Sequence, residues 1–197
     1  MVYNTTAVNN RKETDRVKTV ILFGSPRKDG NTRALTDAFA EALKGHSQTD
    51  VRLLYLNDMN LRPCQGCYAC SAKGVCKIND DMRDIGKYVT ESDLVVYATP
   101  VYWWAPSAQL KLVMDRSVMF LDKEFNSRTK GKKAVTLMTC ADSDPGTCVP
   151  ALDIFTRTFR ELGMEYAGHV EATGCEGRGE VSASALDEAR KLAASLT

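Results

Sequence analysis

Val17-Lys18-Thr19-Val20-Ile21-Leu22-Phe23-Gly24-Ser25-Pro26-Arg27-Lys28-Asp29-Gly30-Asn31-Thr32 is the stretch that decides how this chain is read. An apolar run of strand length feeds a short polar loop. A helical pattern follows, with Ala34, Leu35, Ala38, Phe39 and Ala42 on one stripe. The first N–H groups of a helix have no partner within the helix and point toward whatever precedes it. With the hydroxyls of Ser25 and Thr32, the amide of Asn31 and the glycines at 24 and 30, the loop reads as an anion-binding nest suited to a phosphate monoester. It is neither G-x-G-x-x-G nor G-x-x-x-x-G-K-[ST], so the dinucleotide and nucleoside triphosphate fingerprints are both excluded. An ordinary strand–helix turn capped by Asn31 or Thr32 is the plainer reading of the loop taken alone.

The same alternation continues outward. Strands are expected at 17–23, 50–56, 93–98, 133–139 and 165–172, and helices at 32–43, 80–90, 108–119, 151–162 and 182–196. Ser107 is placed to cap the third helix. Asp93-Leu94-Val95-Val96-Tyr97-Ala98 is apolar almost throughout, as befits a strand covered on both faces. Five βα units imply a parallel sheet with helices on both sides. Beginning on a phosphate loop, they fit strand order 2-1-3-4-5, with ligands beyond the carboxyl ends of the strands.

At 197 residues the chain suits a single domain at 17–197 preceded by a polar, flexible arm at 1–16. Twenty-six Lys and Arg oppose 25 Asp and Glu, for a net charge near +1, which gives bulk attraction to nucleic acid or membrane no support. Residues 1–16 have no apolar core segment and no long apolar run occurs elsewhere, so the expectation is a cytoplasmic protein without a membrane partner.

Three loops should meet at the carboxyl edge of the sheet. The first is the phosphate loop. The second, 99–107, carries Tyr102, Trp103 and Trp104 in succession, flat apolar area able to cover a planar heteroaromatic ring, anchor a dimer or cap the core. The third, 139–148, offers backbone donors around Asp142, Ser143, Asp144 and Gly146. A planar cofactor with one phosphate, held by three loops, is most simply flavin mononucleotide (FMN). Asp115 and Arg116, in the following helix, read as a local ion pair or an intersubunit contact.

Seven cysteines are present, four of them in Cys64-x-x-Cys67-x-x-Cys70-x5-Cys76, inside a long segment expected as a cysteine-rich insertion at 60–79. The spacing suits a compact 4Fe-4S cluster with Cys64, Cys67, Cys70 and Cys76 as ligands; unligated thiols, a redox disulfide and zinc are the alternatives. Cys140, Cys148 and Cys175 lack such spacing and read as buried small hydrophobes, with Cys140 nearest the proposed flavin.

Gly24-Ser25-Pro26-Arg27-x-x-Gly30-Asn31-Thr32, the four-cysteine motif followed by Asp80-Asp81-Met82, Thr99-Pro100-Val101-Tyr102, and Ser107-x-Gln109-Leu110-Lys111-x-x-x-Asp115-Arg116 together resemble the flavodoxin-like NADPH-dependent FMN reductase superfamily, and within it the iron–sulfur flavoproteins. The resemblance implies a flavodoxin-like three-layer α/β sandwich. It implies FMN phosphate contacts at Ser25, Arg27, Asn31 and Thr32, and ring contacts at Pro100, Val101, Tyr102 and Trp103, with Thr139, Ala141, Asp142 and Gly146 on the other side. It further implies an FMN-dependent NAD(P)H oxidoreductase with a small-molecule acceptor, assembled as a homodimer or a dimer of dimers. The alternative is an electron carrier that holds the 4Fe-4S cluster and exchanges electrons with ferredoxin. Hydride transfer to flavin needs positioning and no side-chain base, and the two histidines, His46 and His169, have no partner motif.

Overall fold

The computed structural model describes residues 16–46 and 49–196. The arm assigned to 1–16 therefore falls, except for Arg16, outside the described residues.

Five long strands, β1 (Val17–Phe23), β2 (Thr49–Tyr55), β3 (Leu94–Tyr102), β5 (Lys133–Thr139) and β6 (Glu165–Ala172), form one parallel sheet in the order β2-β1-β3-β5-β6. A two-residue strand, β4 (Ala105–Pro106), pairs antiparallel with the end of β3. Leaving that ribbon aside, the order is the expected 2-1-3-4-5. The helices are α1 (Asn31–His46), α2 (Met82–Glu91), α3 (Ala108–Asp115), α4 (Val149–Glu161) and α5 (Ala183–Ala194).

Because successive strand side chains point to opposite faces, each apolar strand feeds two cores. Ile21, Phe23, Val96 and Val135 pack against Leu35, Phe39 and Leu43 of α1 and Ala185, Ala189 and Ala193 of α5. Val20, Leu22, Val95 and Tyr97 face the opposite way, onto Ile85 of α2, Leu110 and Val113 of α3, and Phe155 and Phe159 of α4. The result is the three-layer α/β sandwich. No helix among the described residues is long and apolar enough to cross a membrane.

The two largest boundary differences from the sequence reading each have a tertiary reason. The segment 99–102, expected as loop, continues β3, because Thr99 and Pro100 pair with Met138 and Thr139 of the neighbouring strand. The third helix ends at Asp115 instead of 119 and continues as a 3-10 turn, Ser117–Phe120. At the break the Arg116 side chain, 1 % exposed, turns inward to the carboxylate of Asp80.

Candidate functional site

The register aligns the carboxyl ends of β1, β3 and β5, so the loops that follow them converge. Ser25, Arg27, Gly30, Asn31, Thr32, Pro100, Val101, Tyr102, Thr139, Cys140, Ala141, Cys175 and Glu176 line one cavity of about 200 Å³. A second cavity, about 550 Å³ and more open, adjoins it through Val101, Tyr102, Cys140 and Ala141, and is completed by Trp103, Trp104, Asp142 and Thr147. Every sequence-proposed cofactor residue except Gly146 thus lines one of the two; the Gly146 N–H instead donates to Asp144 Oδ1 at 2.8 Å.

The phosphate loop is built by packing as much as by polarity. Gly24 donates its N–H to Ala98 O at 2.8 Å and accepts from Ser107 Oγ at 2.7 Å. A Cβ at Gly24 would lie 2.8 Å from both Leu110 Cβ and Ser107 Oγ, so only glycine lets α3 close on this loop. Ser107 Oγ also accepts the Leu110 N–H at 3.4 Å, the cap expected from the sequence. Ser25 Oγ accepts the Arg27 N–H at 3.2 Å, and Thr32 Oγ1 pairs with Thr139 Oγ1 at 2.7 Å, tying the first loop to the third.

The first turn of α1 contains no acidic side chain. Its first two residues, Asn31 and Thr32, line the cavity together with Ser25, while the Arg33 and Ala34 N–H groups donate to Gly30 O at 2.9 and 3.2 Å. Of the cations around the loop, Lys28 pairs with Asp58 at 2.6 Å and Arg33 with Asp37 at 2.7 Å, and Arg27 belongs to the cavity lining. Hydroxyls, a helix N-terminus and a guanidinium at one end, with the aromatic wall of Tyr102 at the other, match a monophosphate joined to a flat ring.

One element of the site escaped the sequence reading. The segment 175–180 crosses the mouth of the phosphate loop and is latched there by Asn31. The Asn31 amide donates to Gly177 O at 2.6 Å and Cys175 O at 3.3 Å, and its Oδ1 accepts the N–H groups of Gly179 at 2.9 Å and Glu180 at 3.1 Å. Arg178 adds an ion pair to Asp29 at 2.9 Å. Asn31 therefore lines the cavity while its amide holds this strap. The glycines at 174, 177 and 179 are the available signal, marking a glycine-rich loop.

The aromatic ribbon is a hairpin with two indoles at its tip. Trp103 and Trp104 occupy left-handed backbone, with φ of 49° and 60°, and their rings meet edge to face at 5.6 Å. Trp103 is 87 % exposed, so of the readings open in the sequence, capping of the core does not apply to it.

The cysteine segment corrects the expectation of a 4Fe-4S cluster. Cys64, Cys67, Cys70 and Cys76 border a common cavity of about 160 Å³. Among the described residues, however, no three His, Cys, Asp or Glu side chains come together as a metal-holding group. Left-handed turns at Gly66 and Tyr68 leave Cys67 exposed, while Cys70 is buried in the core beneath α2 and Cys64 and Cys76 are intermediate. The thiols are spread around the cavity from core to surface. Neither the cluster nor a four-thiolate zinc site is supported at Cys64, Cys67, Cys70 and Cys76.

The segment is anchored by Arg116 and Asp80. Arg116 Nη1 and Nη2 donate to the two Asp80 oxygens at 2.6 and 2.8 Å, and Nη1 also reaches Arg62 O at 3.0 Å. Burial pushes the Asp80 carboxyl up, but the Arg116 hydrogen bonds and the Arg62 and Met82 N–H groups outweigh it and hold the carboxyl below its ordinary range. The ion pair read at Asp115-Arg116 is thus two separate pairs: Arg116 with Asp80, and Asp115 with Lys111 one helical turn back.

Comparison with known proteins agrees with this architecture. The family model described as NADPH-dependent FMN reductase matches residues 17–172. An iron–sulfur flavoprotein of Methanocaldococcus jannaschii is 39% identical over 101 residues, covering 51% of this chain and 52% of that protein. One from Archaeoglobus fulgidus is 38% identical over 104 residues, covering 53% and 47% respectively. The chain thus spans about half the length of these curated relatives. An FMN-dependent NADH-azoreductase from Bacillus anthracis, solved in complex with FMN, superposes with a TM-score of 0.72 at 17% identity, covering 91% of this chain and 99% of its own, a likeness of fold.

Proposed function

The chain belongs to the NADPH-dependent FMN reductase family, and from that premise we propose that it is an FMN-dependent oxidoreductase which takes electrons from NAD(P)H and passes them to a small-molecule acceptor. The observation that carries this reading is the convergence of the loops after β1, β3 and β5 on one cavity, which opens directly into a second cavity walled by Trp103 and Trp104.

Bound FMN would supply two-electron redox chemistry between a nicotinamide donor and the acceptor. The chain's own residues bind and orient. The N-terminus of α1, Ser25, Thr32 and Arg27 take the phosphate. Pro100, Val101 and Tyr102 form one wall for the ring, and Thr139, Ala141 and Asp142 the facing edge. The open second cavity admits donor and acceptor in turn beside the indoles. Neither His169, out on β6, nor any other general base is assigned a part.

The exposed indoles further support a homodimer in which a second copy covers the hairpin. Seven free thiols accord with a cytoplasmic setting.

The test is a titration of the purified chain with FMN, followed by NADH or NADPH oxidation with a quinone or azo dye as acceptor. Stoichiometric quenching of flavin fluorescence and FMN-dependent turnover are expected. Failure to bind FMN would overturn the proposal. Arg27→Ala should raise the dissociation constant about tenfold, the loss of one charge-assisted contact.

A further inference from the structure

A buried thiol pair stands in the wall of the same cavity, and nothing in the proposed reaction uses it. Cys140 follows β5 and Cys148 precedes α4; their Sγ atoms lie 3.6 Å apart, with the Cys148 thiol donating to Cys140. Both residues are buried, but not alike. Cys140 lines both cavities, whereas Cys148 lines neither and sits fully enclosed behind it.

The surrounding backbone fixes this arrangement. The Cys140 N–H donates to Ala172 O at 3.0 Å, and its carbonyl accepts the Cys175 N–H at 2.8 Å. The loop between the two thiols is closed on itself by Asp142, which accepts the Asp144 N–H at 3.0 Å and the Thr147 hydroxyl at 2.8 Å. The third nearby thiol, Cys175, is turned to backbone carbonyls, those of Ala172 at 3.5 Å and Thr173 at 3.7 Å. One thiol open to a cavity, with a second in contact behind it, is the division of labour that stepwise disulfide formation needs.

We propose that Cys140 and Cys148 are a reversible dithiol–disulfide pair, in which Cys140 is oxidised by a hydroperoxide entering the cavity and Cys148 resolves the product. In the first step the Cys140 sulfur attacks the peroxide and the O–O bond breaks. One oxygen stays on sulfur as sulfenic acid; the other leaves as an alcohol, or as water from hydrogen peroxide, carrying the thiol proton. In the second step the Cys148 sulfur attacks Cys140, the S–O bond breaks, and the oxygen departs as water with the Cys148 proton. Two thiols lose two electrons and the peroxide gains them. The sulfurs must close from 3.6 Å to about 2.05 Å to form the bond.

The environment sets the pace. Burial pushes both thiols up. Asp142 and Glu171 add to this at Cys140, against the opposing hydrogen bond from Cys148; the Cys140 sulfur, Glu171 and Cys175 add to it at Cys148. Since the thiolate is the nucleophile, oxidation is slow at neutral pH and faster in alkali.

The experiment treats the purified full chain, with and without saturating FMN, with hydrogen peroxide at two pH values, about 7 and about 9, inside the range where thiolate populations change. Remaining thiols are alkylated under denaturing conditions and the digest is mapped without reduction. The expected result is a Cys140–Cys148 linked peptide two hydrogens lighter than the dithiol, formed faster at the higher pH, reversed by dithiothreitol, and present with or without FMN. In Cys148→Ser, dimedone should instead label Cys140. Alkylation of both Cys140 and Cys148 throughout, while exposed Cys67 is oxidised, would overturn the proposal, as would linkage of Cys140 to Cys175. Should Cys148→Ser not fold, the wild-type peptide map decides by itself.

Discussion

Arg116 and Asp80 show how far a residue's neighbours in sequence can mislead. Asp115-Arg116 reads as one ion pair along the chain, yet a helix turns adjacent residues about 100° apart, and the two side chains diverge. Arg116 is drawn into the core and Asp115 stays on the surface with Lys111. A buried carboxylate facing a guanidinium is costly to break from one side, because the remaining charge stays desolvated. Asp80→Asn should therefore lower stability by roughly 3–5 kcal/mol in urea unfolding at neutral pH. The pH dependence has a definite sign. The folded-state carboxyl of Asp80 lies below its ordinary value, so its contribution is complete above the ordinary carboxylate range and is lost as pH falls through the lowered folded-state value. Wild type should consequently lose stability more steeply than Asp80→Asn below about pH 4.

Elements were legible where period and composition agreed. β1, β3 and β5 are short apolar runs bounded by turn residues, and the stripes of α1 and α5 carry the helical period, so their places followed from local chemistry. What resisted was structure decided at a distance. The strap at 175–180 contains no periodic signal, and its position depends on one amide, that of Asn31, more than 140 residues away in sequence. Asn31→Ala removes bonds to the carbonyls of Cys175 and Gly177 and the N–H groups of Gly179 and Glu180. It should cost about 1–3 kcal/mol and raise amide exchange at residues 176–180, while Thr32→Ser should leave the strap protected.

The aromatic hairpin is a second such element. Two-residue hairpin turns with positive φ at both tip positions favour Asn-Gly, and Trp-Trp gives no sign of one. Here the pairing of β3 with β5 extends the strand, and the indoles occupy strained backbone in consequence. Replacing Trp103 by Asn and Trp104 by Gly should stabilise the fold by about 1 kcal/mol, a rise of about 2–4 °C in Tm, while slowing turnover with planar acceptors. A fall in Tm would show that the indoles stabilise the monomer by packing.

At the scale of the molecule, the sheet order and the convergence of three loops could be read from the sequence because right-handed βα crossovers leave few arrangements. The cysteine segment could not be read so safely. Spacing in a motif specifies which ligands could meet, and among the described residues no three such side chains come together as a metal-holding group. The hairpin raises a question about the assembly. Tyr102, Trp103 and Trp104 expose aromatic surface together at the mouth of the site, and soluble chains keep such patches where a partner covers them. A second copy placed there would bury the indoles and narrow the open cavity they wall. Light scattering should then give twice the mass of one 197-residue chain, and Trp103→Glu, which puts a charge into that contact, should give the monomer. If the cavity is completed by the second copy, the monomeric variant binds FMN more weakly at low protein concentration and recovers little at high concentration. A wild-type chain that stays monomeric at high concentration would remove the dimer from the proposal, leaving the indoles as a wall for donor and acceptor alone.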